Sequence, residues 1–421
     1  MKRKLALVVV ALVLAITSVN AKGMEGWEPV TGEDGSAIDV ASMSLYGDSV
    51  YALDTSGAAY LMGKGVAKPV KSADGKTIAF HSLCEVGRSV LGAEASDSKK
   101  HNAWKLAGTT ATPVLDGSGE QLVTPAAFST PQFGARGCPY FWTHAGGSAG
   151  GAPPGMSVSV DMYWLNGDKA QPVPLPELKA PVFLWTGKHL LMTNRGKTHI
   201  FVDGELKDLA WEGREPWVSA NDMACDDYIM LNSGVHLYRI EGETAKELSL
   251  QTTGTRKALF QLDGAPHIWL SNGSDSNEFV KLEGDEAKPT EYTKLLAKGK
   301  FRKFHFPDGV AVAEAIEAGK TDVQFLVMRD GKGKTVKLPK DAWSMGISRF
   351  EAAFGGQYVM LAGSAPAAVW VLDTKNKLKV VACPESKFAI DRESFVFGQD
   401  GIYQHFSAED RTRSFIYHAM P

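Results

Sequence analysis

The chain has 421 residues, of which 44% are hydrophobic, 10% aromatic and 22% charged, the composition of a packed body rather than a disordered chain. Its formal net charge is −3; leaving out Lys2, Arg3 and Lys4 it becomes −6, with 42 basic against 48 acidic residues. Such a balance offers no field for nucleic acid or an anionic membrane surface, which disfavours polyanion binding as the main role.

The first segment concerns the compartment. Lys2, Arg3 and Lys4 precede an apolar stretch over 5–16, and Val19-Asn20-Ala21 has the small residues of a cleavage site. Residues 1–21 therefore read as a secretory signal peptide cut after Ala21, which predicts a secreted or periplasmic product starting at Lys22. The apolar stretch is shorter than the roughly 20 residues that span a bilayer. Every later apolar run is broken by glycine, proline or charge, so no integral membrane segment is expected after cleavage.

From there a pattern recurs. Tyr60-Leu61-Met62-Gly63, Trp104-Lys105-Leu106-Ala107-Gly108, Tyr163-Trp164-Leu165-Asn166-Gly167, Ile200-Phe201-Val202-Asp203-Gly204 and Leu237-Tyr238-Arg239-Ile240-Glu241-Gly242 each end an apolar-rich run in a turn. Phe279 to Gly284, Phe325 to Gly331, Val369 to Asp373 and Phe415 to His418 continue the series. In the fourth unit the runs 189–192, 199–202 and 207–210 read as three strands, joined by Asn194-Arg195-Gly196 and Asp203-Gly204. In the fifth, 228–231, 236–240 and 246–250 do the same. These turn residues tolerate positive φ, which tight hairpins require. A further apolar strand precedes each trio, at 182–185, 217–220, 258–262, 350–354 and 388–390.

Four strands in about 44 residues, repeated along the chain, resemble the blades of a β-propeller. The resemblance is to the architecture alone, because no WD, kelch or sialidase-type signature accompanies it. It implies an all-β fold of eight or nine four-stranded blades over residues 22–421 as a single domain; the third unit, with its glycine-rich loop, is the least regular. Trp27-Glu28-Pro29-Val30 looks like the outer strands that contain Lys68-Pro69-Val70 and Thr112-Pro113-Val114, while the last unit lacks its outer strand. The expectation is one blade built from N- and C-terminal strands, closing the ring.

The four cysteines leave the disulfide state open. Cys84 and Cys138 fall near equivalent strand ends of neighbouring units, so a bridge between them is expected to be feasible, with buried free thiols as the alternative. Cys225 and Cys383 are several units apart. Neither CxxC nor paired Cys and His spacing suggests zinc.

Local motifs for catalysis are weak. Gly146-Gly147-Ser148-Ala149-Gly150 matches G-x-S-x-G, but Pro153 and Pro154 deny it the helix a nucleophile elbow needs. His189 and His267, and likewise His199 and His236, repeat with the units, which favours structural roles. Asn272 to Glu278 lacks the order of a calcium loop. Lys298-Gly299-Lys300-Phe301-Arg302-Lys303-Phe304-His305-Phe306 interleaves cations and aromatics, and a strand with one buried apolar face accounts for it better than an anionic ligand does. No cofactor is predicted, although a metal in the central channel is left open.

Loop lengths give the functional pointer. The second-to-third connections lengthen at 94–102, 145–157 and 314–321, and such loops share one face of a propeller with the connections between blades. His101, His144, Arg256 and Asp275 are the candidate binding residues there. The chain is expected to be a monomeric, non-catalytic binding or scaffold module for a protein or an envelope or extracellular polysaccharide. The alternative is a propeller enzyme, a polysaccharide hydrolase or lyase or a lactonase-like hydrolase, with its site at the central channel.

Overall fold

The computed structural model describes residues 27–419, apart from 97–99, 126–127, 130–135, 145–156, 159, 180, 214, 220–221, 232–233, 251–253, 274–275, 298, 308, 317–322, 338–346, 354–357, 364–367, 374, 376, 383–394 and 408–412. Alternation and turn chemistry act together: antiparallel strands follow one another as meanders, each strand hydrogen-bonded to the one before it in the chain.

Sheet 1 comprises Val40–Tyr46, Ser49–Asp54, Ala59–Gly63 and Val66–Pro69; sheet 2, Phe80–Val86, Ser89–Glu94, His101–Ala107 and Thr110–Pro113; sheet 3, Phe128–Ser129, Tyr140–His144, Val160–Asn166 and Lys169–Val173. Sheet 4 comprises Val182–Trp185, Leu190–Asn194, Lys197–Val202 and Glu205–Asp208; sheet 5, Met223–Cys225, Tyr228–Leu231, His236–Glu241 and Thr244–Glu247; sheet 6, Thr255–Leu262, Ala265–Ser271, Asn277–Glu283 and Glu286–Pro289. Sheet 7 comprises Phe301–His305, Ala311–Ile316, Val323–Arg329 and Lys332–Lys337; sheet 8, Ile347–Ala353, Tyr358–Gly363, Ala368–Leu372 and Leu378–Ala382. Sheet 9 joins Phe395–Phe397, Gly401–Ser407 and Arg413–Ala419 to Trp27–Pro29, with Trp27 opposite His418 and Pro29 opposite Ile416. The expected pairing of the two ends of the chain is present. The fold is all-β, and its repeated four-stranded meanders are β-propeller blades.

Tight turns set the register. Lys64-Gly65, Arg195-Gly196, Asp203-Gly204, Asp263-Gly264 and Asp330-Gly331 have positive φ at both residues, the two-residue geometry whose twist matches the flanking strands. Strands resume at once after Asp203-Gly204 and after Gly242-Glu243, where Gly242 alone has positive φ, so the third strands of the fourth and fifth units begin at Glu205 and Thr244, two residues before the expected positions. The strand expected at 217–220 lies instead at Met223–Cys225, because Trp217 is turned to solvent and Ser219 and Asp222 form a turn. The strand expected at 388–390 lies outside the described residues.

The chain divides into two compact units. The larger contains sheets 2 to 7, and there each sheet packs on the next. Leu91, Ala93 and Ala103 of sheet 2 meet Phe141, Leu165 and Ala170 of sheet 3; Tyr140 and Met162 of sheet 3 meet Leu190, Met192 and Phe201 of sheet 4. Leu191 and Ile200 of sheet 4 then meet Ile229, Leu231 and Tyr238 of sheet 5, while Tyr228, Met230 and Leu237 meet Ile268 and Leu270 of sheet 6. Strand 228–231 is thus buried on both faces, alternate residues serving alternate neighbours, which is why it reads as a continuous apolar run. Between sheets 6 and 7 a short helix, α1 (Glu291–Leu296), inserts Tyr292 and Leu296 into a core with Phe260, Phe279 and Met328; nothing in the periodicity announced it.

After several outer strands the chain steps sideways. Lys71–Ser72 adds to the outer strand of sheet 2 in parallel, and Ala210–Trp211 to that of sheet 5. Val70, which follows a proline, is fully buried at the first of these steps, as is Val114 where Leu115 pairs in parallel with Lys169 of sheet 3. In the smaller unit Thr31–Gly32 does the same to Val66–Ala67, and Asp400 accepts hydrogen bonds from the Lys64 amide and, at 2.9 Å, from the Tyr403 hydroxyl.

Of the two alternatives left open for Cys84 and Cys138, the structure has the free thiols, and Cys225 is free as well. Cys84 packs against the core between sheets 2 and 3 and Cys138 lies within that between sheets 3 and 4, so equivalent places in the repeat have put the two thiols on opposite sides of sheet 3. Cys383 lies outside the described residues.

Candidate binding surface

Each sheet has two ends. At the turn end lie the hairpins joining first to second and third to fourth strands; at the loop end lie the second-to-third connections and the links between sheets.

In the larger unit the turn end is stitched from sheet to sheet. The Gly87 amide donates to the Cys138 carbonyl at 2.6 Å and the Asp226 amide to the Thr186 carbonyl at 2.6 Å. The Tyr140 hydroxyl accepts the Gly204 amide at 3.2 Å, and the Tyr228 hydroxyl donates to the Gly284 carbonyl at 2.9 Å. Tyr292 donates to Asp263 and accepts the Gly331 amide at 2.7 Å. The most reactive-looking groups, Lys188, His189, Asp226 and Asp227, belong to this seam. Lys188 and His189 each bond Asp227 at 2.8 Å. Burial opposes the Asp227 charge, yet these two donors outweigh it and hold its pKa below the usual range. Burial and then the neighbouring Asp227 push the Asp226 carboxyl up. The geometry is that of a joint between sheets 4 and 5.

The loop end is built differently. Among the described residues of the larger unit, first strands carry a register shift there at Phe80/Ser82, Arg256/Ala258 and Phe301/Lys303; in the smaller unit the first strands shift likewise at Val40/Ser42 and Ile347/Arg349. A bulge puts two residues opposite one and re-aims side chains, and bulges recur next to functional sites.

His101 opens the third strand of sheet 2 at this end. Its Nδ1 donates to the Glu94 carbonyl at 2.8 Å, and its ring stacks on His81 with centroids 5.9 Å apart. Glu94 accepts from Asn102 at 2.8 Å and from the Trp104 indole at 2.9 Å, so this group braces the 94–102 connection. His144 ends a strand of sheet 3, and its side chain lies outside what is described, as does the whole of Asp275. The structure does not bring His101 and Arg256 together: they stand on sheets 2 and 6.

Arg256 is the second residue of the first strand of sheet 6. Its Nη1 donates to the Val235 carbonyl at 3.3 Å. Burial pushes the guanidinium pKa down, with the field of Glu247 opposing. The turn carrying Val235 sits close: a Cβ at Gly234, whose φ is +96°, would lie 2.5 Å from the Arg256 carbonyl oxygen. Only glycine fits there.

Trp217, Met223 and Val235 are the functional candidates that sequence reasoning missed. With Val123 they are the large hydrophobic residues exposed among those described, at 66% for Trp217 and 67% for Val235. All four lie at the loop end. Val123 pairs with Asn102 at the start of a third strand. Glu215 accepts the Thr198 amide at 2.7 Å beside the second-to-third turn of sheet 4, so the link from sheet 4 to sheet 5 crosses this end. Trp217 stands on that link, next to Val218, which is buried in the core between the two sheets. Pro216 just before Trp217 was the one available signal, since proline disfavours a paired strand.

The segment with interleaved cations and aromatics behaves as a strand with an apolar face. Phe301 is buried, and Phe304 and Phe306 pack on the core between sheets 6 and 7. His305 pairs with Glu314 at 2.9 Å. Among the described residues no group of three or more His, Cys, Asp or Glu is placed to hold a metal ion, and no helix is long and apolar enough to cross a membrane.

No protein-family model matches the chain, and no curated protein does. Among solved structures it is similar to the computationally designed Ika8 protein, at 12% identity and a TM-score of 0.37 over 93% of this chain and 99% of that one. It is similar to the WD40 domain of SCAP from fission yeast, at 10% identity and a TM-score of 0.36 over 93% and 97%. Oligogalacturonate lyase from Vibrio parahaemolyticus gives 12% identity and a TM-score of 0.35 over 94% and 97%.

Proposed function

We propose that this chain is an exported, monomeric, non-catalytic β-propeller that binds a protein or an envelope or extracellular polysaccharide through its loop end. In this reading residues 22–421 form one domain of nine blades, sheet 9 closes the ring with strands from both ends of the chain, and residues 1–21 direct export. The basic start, the apolar stretch and the Val19-Asn20-Ala21 site support export. The observation that carries the binding role is the exposure of Trp217, Met223 and Val235 around the loop end of sheet 5, with Val123 exposed at the same end of sheet 2. Exposed apolar residues gathered on one face of a rigid scaffold support an interaction surface, whereas singly scattered ones would not. The opposite end spends its polar groups on bonds between sheets. His101, His144, Arg256 and Asp275 belong to the proposed surface by position.

The test is affinity capture from envelope and culture medium with residues 22–421 as bait, beside a variant lacking 145–157 and a Trp217→Ala/Val235→Ser variant. Enrichment of a discrete protein or polymer by the parent and its loss in at least one variant is expected. Equal recovery by all three baits moves the site away from the loop end; no enrichment by any bait removes the binding role.

A further inference from the structure

Two consecutive cations stand at the bulge of sheet 6. Arg256 pairs with Leu270 and Ala258 with Trp269, so Lys257 is the extra residue of the bulge. Lys257 is exposed and Arg256 half-buried. Arg256 has the Val235 carbonyl as its hydrogen-bond acceptor, and neither cation has a carboxylate in ion-pair contact among the described residues.

Three carboxylates described near this end bond other groups. Glu215 accepts the Thr198 amide at 2.7 Å, Asp222 the Ser219 amide at 2.6 Å, and Glu247 pairs with His236 Nδ1 at 2.7 Å. The field of Glu247 reaches Arg256 without forming a contact. Arg256 and Lys257 thus stand beside Val235 with no carboxylate bonded to either among the described residues, and Val235 is held against Arg256 by the turn at Gly234. Met223 begins the first strand of sheet 5, which runs beside the strand that carries Arg256, and Trp217 lies on the link leading into it.

We infer that the loop end of sheet 5 together with the bulge of sheet 6 is a docking site for an extended peptide segment of a partner protein that carries a carboxylate next to an apolar side chain. This deepens the binding role proposed above and rests on it. The guanidinium fork suits a planar carboxylate, and the half-buried setting strengthens such a contact. Trp and Arg are the residue types that most often dominate interface energetics. Val235 and Met223 offer aliphatic surface, which favours an apolar side chain over the face of a sugar; an acidic glycan would use Trp217 and the cations alone.

The experiment selects random dodecamer peptides displayed on phage against immobilised residues 22–421, then measures the synthesised winners by fluorescence anisotropy. The expected winners place Asp or Glu beside Leu, Ile, Val or Phe. Arg256→Ala and Val235→Asp should each weaken them tenfold or more, about 1.4 kcal/mol, at an unchanged unfolding midpoint. Val235→Asp touches an exposed side chain, so it separates lost binding from lost fold if Arg256→Ala is destabilised. Basic or neutral winners, or winners indifferent to both variants, overturn the docking site while leaving the binding role intact. Absence of peptide winners with Trp217-dependent binding of polygalacturonate overturns it in favour of an acidic glycan. Absence of both overturns it as well, and the capture experiment then decides the broader role separately.

Discussion

Gly92 should resist even the smallest side chain. It lies within the second strand of sheet 2, between Leu83 on one neighbouring strand and Trp104 on the other. A Cβ there would stand 2.4 Å from Phe80 Cδ1, 2.5 Å from its Cε1 and 3.1 Å from Leu83 Cδ2, where carbon atoms normally rest at about 3.5–4.0 Å. The Phe80 ring cannot swing away. It is 2% exposed, and its backbone is held by a 2.7 Å bond from the Phe80 amide to the Gly57 carbonyl. Overpacking costs about 1–3 kcal/mol, against about 0.4–1 kcal/mol gained by restricting the unfolded chain. The steric effect wins, and Gly92→Ala should lose roughly 1–2 kcal/mol. Guanidinium denaturation followed by fluorescence reads this as a lower midpoint at an unchanged slope. Phe80→Leu should make room for the methyl, so the double variant should be more stable than the sum of the single effects by about 0.5 kcal/mol or more. A Gly92→Ala midpoint equal to or above the parent's would refute the claim that the Phe80 ring lies over this strand.

Cys84, Cys138 and Cys225 should all be alkylated by iodoacetamide in denaturant without prior reduction, as peptide mass mapping would show; a Cys84–Cys138 linked peptide would contradict the free thiols. Burial pushes the Cys138 and Cys225 thiols from 9.0 up to about 12. Because the folded values are raised, the stability they contribute is complete below pH 9 and is lost as pH rises toward about 12; stability measured across that window should fall less steeply in Cys138→Ala/Cys225→Ala than in the parent. Tyr292→Phe removes the hydroxyl that donates to Asp263 and accepts Gly331. A loss of about 1.5–3 kcal/mol is expected for a bond to a charged group, and a midpoint within error of the parent's would dismiss the seam as a stabilising feature. Deleting 22–29 removes the strand that covers Arg413–Ala419 and exposes a sheet edge, so the deletion variant should self-associate in sedimentation velocity runs where the parent does not.

Much of the fold was legible because it is local. Asp203-Gly204 and Asp330-Gly331 announce their hairpins, and the likeness of Pro29-Val30 to Pro69-Val70 and Pro113-Val114 predicted the strand that Trp27–Pro29 adds to sheet 9. The site was much less legible. His101 and Arg256 were named from loop positions, but nothing in their neighbourhoods says that His101 braces Glu94 or that Arg256 meets the Val235 carbonyl, 21 residues earlier. The apolar neighbours of Trp217 read as a strand; its exposure depends on Val218 taking the buried place between sheets 4 and 5.

The sequence by itself therefore determined the elements: strands of period two, turns that need positive φ, and a unit of about 44 residues. Tertiary structure decided which side of each strand faces which neighbour. A period-two pattern is the same whichever sheet lies opposite, and packing distributed Tyr228 and Met230 to one core and Ile229 and Leu231 to another. The same packing separated Cys84 from Cys138, despite their equivalent places in the repeat, and left Trp217 and Val235 in solvent, since burial depends on contacts between residues that the chain order keeps apart.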